Sequence, residues 1–83
     1  MKILTSAYRH GVSDDAIRHA WKNALGFHDI EPDHDPPKSL CIGPDPAGNL
    51  LEVLYFWIAD DNVVIHAMRL RRRFRHYLTK GRQ

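Results

Sequence analysis

The 83-residue chain has one cysteine, Cys41, no apolar run longer than 50–59, which Glu52 interrupts, and no acid after Asp61. A lone cysteine excludes an internal disulfide and any CxxC metal or redox motif. The short apolar run excludes a membrane-spanning helix, which needs about 20 apolar residues. The opening Met1-Lys2-Ile3-Leu4-Thr5-Ser6-Ala7 has one lysine and two bulky aliphatic residues, too few for a signal-peptide core, so a cytoplasmic protein is expected. There is no Walker loop, GxGxxG or GxSxG. The nearest glycine turn, Gly43-Pro44-Asp45-Pro46, loses to proline the N–H groups that would cradle a phosphate. No HxxxH pair occurs among the six histidines, so no metal or other cofactor is expected. The length leaves room for one domain, 1–83, whose core is small enough that something else must staple it or a partner must share it.

The missing C-terminal acids turn a bland net charge of +2 into a polarised chain. Residues 1–61 carry five Lys/Arg against ten acids, net −5, and residues 62–83 carry seven Lys/Arg and no acid, net +7. Seven cations and two histidines within 66–82 repel one another unless something anionic is near. Six of the seven are arginines, whose planar fork suits phosphate better than an ammonium does. RNA is the leading candidate. The alternative is a solvated helix face, or one paired with upstream acids such as Asp33, Asp35, Asp60 and Asp61.

Periodicity supplies the scaffold. Ile17, Ala20, Trp21, Ala24 and Leu25 form one stripe at helical spacing, with Ser13 placed to cap, Asp14 and Asp15 at the positive end of the dipole, and Gly26 as a stop, which predicts a helix over 13–25. A short helix over 4–10 ended by Gly11 would complete an N-terminal helical hairpin. The acidic, proline-rich stretch 29–38 reads as a connection. Strands are expected over 39–43, 50–58 and 63–68, with 26–30 a possible fourth. From Leu70 the apolar positions Leu70, Phe74, Tyr77 and Leu78 predict a C-terminal basic amphipathic helix, stopped by Gly81. The expected fold is α+β: an N-terminal helical hairpin, a three- to four-stranded antiparallel sheet and a C-terminal basic helix.

The junction of the last strand and the basic helix is where side chains converge. Metal-free RNA cleavage needs a base for the 2′-OH, an acid for the leaving 5′-oxygen and cations for the charge on phosphorus. His66, Arg69 and Arg72, with Tyr77 or His76, supply groups for those roles. The competing reading puts His66 on one strand side with Val64 and Met68, as a packed histidine bonded to a backbone carbonyl. Tyr55 and Trp57 alternate with Leu54 and Phe56, so one aromatic pair faces each side of the sheet.

The order Arg9-His10-Gly11-Val12-Ser13 at a helix start, an Asp/Pro connection, Leu40-Cys41-Ile42-Gly43, the stretch 48–55, then Val64-Ile65-His66-Ala67-Met68-Arg69 and a basic end resembles the BrnT-like toxins of the RelE-type ribonuclease superfamily. The resemblance covers about residues 8–78. It departs from the family where His66 replaces a common serine, where Met68 precedes the arginine, and where the aromatic-rich opening is missing. It implies a RelE-like toxin of a type II toxin-antitoxin system that cuts mRNA, free or on the ribosome, inhibits translation and is neutralised by a cognate antitoxin, often in a two-plus-two complex. On this reading His66, Arg69 and Arg72 are catalytic, and Arg9, His10, Arg71, Arg73, Arg75, His76, Tyr77 and Lys80 bind RNA. The rival classes are a non-catalytic module that holds nucleic acid or an acidic protein on the arginine-rich helix, and a structural protein whose helix is covered by an acidic peptide.

Overall fold

Ser13 begins the main helix as its sequence suggests: its Oγ accepts from the Ala16 N–H at 3.1 Å, with Asp14 and Asp15 in the first turn. In the computed structural model, which describes residues 1–78, this helix is α1 (Asp14–Lys22). It stops three residues before the end expected from its apolar stripe. The Leu25 N–H bonds to the Ile42 carbonyl at 2.7 Å, and Gly26 opens a strand instead of closing the helix. Leu25 therefore leaves the core stripe and is 64% exposed.

The sheet has five strands: β1 (Lys2–Ile3), β2 (Gly26–Glu31), β3 (Lys38–Pro44), β4 (Leu50–Ile58) and β5 (Asp61–Arg69). Their order is β1-β5-β4-β3-β2. β2 to β5 form the expected antiparallel meander, but β1 runs parallel to β5, so the sheet is mixed and not purely antiparallel. The predicted 4–10 helix does not form: directly after β1 the Leu4 N–H bonds to the Val64 carbonyl of β5, and only a 3₁₀ turn, Thr5–Tyr8, follows. The hairpin of two helices is thus a strand, a 3₁₀ turn and α1.

Both faces of the sheet are covered. On one, Ile17 and Ala20 of α1 and Ala7 pack on Cys41, Leu51, Val53, Val64 and Ala67. On the other, Phe74 packs on Leu40, Ile42 and Leu54. Phe74 belongs to a second 3₁₀ helix, Arg72–Leu78, which takes the place of the amphipathic α-helix expected from Leu70. Phe74 and Tyr77 sit three apart, a spacing that suits a 3₁₀ turn as well as an α-helix, and Arg72, Arg73 and Arg75 crowd like charges that oppose propagation. The expected stop at Gly81 lies outside the described residues.

A bulge in β5 changes which residues share a face. Leu54 pairs with His66 and Tyr55 with Val64, leaving Ile65 as the extra residue. Val64 therefore packs beneath α1 while Ile65 and His66 are on the Phe74 side, so Val64 and His66 do not share a face. A close approach fixes α1 against β3. A Cβ on Gly43 would collide with the Ala20 carbonyl. Gly43→Ala is expected to push α1 off the sheet and lower stability by about 3 kcal/mol, the upper range for overpacking, as read from thermal denaturation.

Candidate active site

The site begins with a charge in the wrong place. Glu52 lies in the middle of β4, on the Leu54 side, with a side chain that is 0% exposed. A buried carboxylate is tolerable only if it is paired and fully bonded. Its Oε1 accepts the Arg71 backbone N–H at 2.8 Å, Arg71 Nε–H reaches both oxygens at 3.1 and 3.0 Å, and Arg71 Nη2 donates to Oε2 at 2.7 Å. The fourth partner is His66, whose Nε2 is 3.0 Å from Oε2. Burial pushes the Glu52 carboxyl up, but the bonds from Arg71 and His66 outweigh it and hold the group below its usual range. Glu52 is therefore an ionised acceptor.

An ionised acceptor dictates the tautomer of its neighbour. Nε2 of His66 carries the proton that Glu52 accepts, which leaves Nδ1 of the neutral ring as the lone-pair nitrogen. Burial lowers the His66 pKa, the Glu52 contacts raise it by less, and Arg71 and His10 lower it further, so it falls below its ordinary 6.5. At neutral pH the ring is a base.

His10 comes from the other end of the chain. Its ring meets that of His66 edge-on, with centroids 5.2 Å apart. The N-terminal 3₁₀ turn that carries the chain to His10 is fastened beside the bulge: Ser6 Oγ donates to the Ile65 carbonyl at 2.7 Å. Gly11, at φ +78, then turns the chain into α1. β1 covers β5 only at Val63 and Val64, so this histidine pair lies along the part of β5 that β1 leaves uncovered.

Arg69 is three residues beyond His66 and pairs with Leu51, which places it on the α1 side of the sheet. There it lines a cavity with His10, Ser13 and Asp45. Asp45 is held below the usual carboxylate range chiefly by the Asn49 N–H, with a smaller contribution from Arg69. His10 is the residue common to both neighbourhoods. Arg72, Arg73, Arg75 and His76 are exposed along the last 3₁₀ helix, and Arg73 lies over the Phe74 ring at 4.9 Å. Arg75 borders a pocket with Arg69 and Asn49. Tyr77 packs against the rings of His28 and His76. Arg9 is exposed at the end of the N-terminal 3₁₀ turn, and Lys80 lies outside the described residues.

The expected constellation is therefore partly assembled. His66 and His10 meet and Arg71 joins them through Glu52, while Arg69 approaches His10 from the opposite face and Arg72 stands apart. The group that sequence reasoning left out is Glu52, whose signal was a single acid inside the longest apolar run. Among the described residues no three His, Cys, Asp or Glu side chains are placed to hold a metal ion, and no helix is long and apolar enough to cross a membrane. No known family, curated protein or solved structure matches the chain.

Proposed function

We propose that this protein is a metal-independent endoribonuclease that cleaves messenger RNA, a RelE-like toxin held in check by an antitoxin protein. The observation that carries the reading is the pairing of His10 with His66 of β5, in which His66 is oriented by a buried carboxylate and held toward its basic form.

In the chemistry this supports, His66 Nδ1 takes the proton of the ribose 2′-OH as its oxygen attacks phosphorus. His10 gives a proton to the departing 5′-oxygen, and the product end is a 2′,3′-cyclic phosphate. Arg71 and Arg73 offer guanidinium groups on the same sheet face as His66. Arg69, on the far side of His10, contributes charge to the RNA path and not a contact with the base that starts the reaction. The exposed arginines 72, 73 and 75 form the surface that an acidic segment of the antitoxin would cover, in a complex such as the two-plus-two assembly of the toxins this chain resembles.

Expression of the wild type in a bacterium lacking a cognate antitoxin is expected to arrest growth and create new messenger RNA 5′ ends. Arg69→Ala is expected to slow cleavage without abolishing it. Soluble folded protein with normal growth and intact messages would replace the nuclease with a binding module on the same arginines, recognisable by RNA binding that weakens steeply with salt while the RNA stays whole.

A further inference from the structure

Beside the histidine pair, on the same face of the sheet, lies a cleft of about 500 Å³, within the size range of small-ligand sites. Arg71 and Arg73 stand at one end, Glu31 and Lys38 at the other, and Ile30, Leu54 and the Tyr77 ring line the space between them. Its orientation follows from the strand register. Leu54 is directly opposite His66, Arg71 is fastened over Glu52, and Lys38 is opposite Phe56. From Glu52 to Phe56 is four residues along β4, roughly 13 Å at 3.3 Å each. That span suits one nucleotide, with its phosphate at the arginines near His66 and its base reaching toward Glu31 and Lys38.

The far end is chemically selective. Glu31 and Lys38 face each other across the β2–β3 pair with Oε2 and Nζ 3.3 Å apart, and the carboxylate is half exposed. A carboxylate accepts two hydrogen bonds side by side, and the ammonium next to it donates one. Among the four bases, guanine alone presents on its Watson–Crick edge two adjacent donors, N1–H and N2–H, next to an acceptor, O6. Unpaired bases in single-stranded RNA are read on this edge. The apolar and aromatic lining between the ends suits the flat face of a base.

We infer that this cleft is a nucleotide subsite that selects guanine beside the scissile phosphate, with Glu31 and Lys38 as its specificity-determining pair. The inference rests on the ribonuclease reading for its place in a reaction, but the binding is independent of cleavage and is tested without it.

The full chain, labelled with ¹⁵N, is titrated by NMR with 5′-GMP, 5′-AMP and inorganic phosphate. Expected are amide shifts at Ile30, Lys38, Leu54 and Phe74 with GMP, and an affinity for GMP at least about fivefold above that for AMP, the low end for one bidentate base contact. Arg73→Gln weakens both nucleotides. Glu31→Gln is the deciding variant. If the cleft only attracts anions, removing a negative charge tightens GMP and AMP alike and leaves their ratio unchanged, which overturns the inference. If Glu31 reads the base, the ratio collapses toward one. Equal binding of GMP and AMP by the wild type, or phosphate reproducing the GMP shifts at the same affinity, overturns it as well. The two readings fail separately: GMP selection without message cleavage retires the nuclease and keeps the subsite, and cleavage without guanine selection does the reverse.

Discussion

His66→Ala is expected to abolish growth arrest and lower RNA cleavage by about 10² to 10⁴, the usual contribution of a positioned general base. The fold should survive the change, because Glu52 keeps all its bonds to Arg71 when the imidazole is removed. A melting temperature near that of the wild type with cleavage lost assigns His66 to chemistry. A variant that still cuts messages removes His66 from the mechanism. The pH dependence gives an independent reading. Since burial lowers the His66 pKa below 6.5, the acid limb of the rate profile should have its midpoint below that value, with activity rising as the ring loses its proton. A midpoint above 6.5 would mean that another group takes the proton. His10→Ala should slow cleavage as well, because it removes the proton donor to the departing 5′-oxygen.

The scaffold was most legible where several local signals agreed. Ser13, the two aspartates and the Ile17/Ala20 stripe all pointed to α1, and the aliphatic and aromatic run predicted β4 with its bounds intact. Legibility failed where tertiary contacts overrode local pattern. β1 is two residues long, too short to show alternation, and exists because β5 offers an edge to Lys2 and Ile3. The end of α1 was set by the Ile42 carbonyl drawing Leu25 toward β3, a contact no stripe of residues reveals. The bulge at Ile65 is equally silent in sequence, yet it decides that His66 does not share a face with Val64.

Within the site, the separation of His66 from Arg69 was readable in principle. Residues three apart on a strand face opposite ways. Treating the region as a junction, where a helix would gather both side chains, hid that simple alternation. Glu52 shows the opposite case: its strand was correctly placed, but the acid's meaning depended on Arg71 and His66, residues 19 and 14 positions away. A buried charge in sequence announces that partners exist without naming them.

Those partners make Arg71→Ala the largest expected stability change. The substitution leaves the Glu52 carboxylate, 0% exposed, with only the backbone N–H at position 71 and His66. Breaking a buried pair by removing one partner costs about 3 to 5 kcal/mol, and the retained N–H argues for the lower figure. At about 4 to 8 °C per kcal/mol for a domain of this size, melting should fall by roughly 12 to 24 °C. Replacing both groups, as in Glu52→Leu with Arg71→Leu, should recover much of that loss, since no buried charge is stranded. A single variant that melts within a few degrees of the wild type would show that Arg71 does not secure the carboxylate. Acid titration separates the parts further. The folded pKa values of His66 and Glu52 are both depressed, so stability is fully present above 6.5 for the first and above 4.5 for the second, and each contribution is lost as pH falls through the folded value. The double leucine variant should lose the Glu52 contribution to that acid sensitivity while keeping α1 and its contacts. It should also lose cleavage despite its recovered stability, because the carboxylate that sets the His66 tautomer has gone, and a stable double variant that cuts RNA as well as the wild type would divorce the buried clamp from the chemistry.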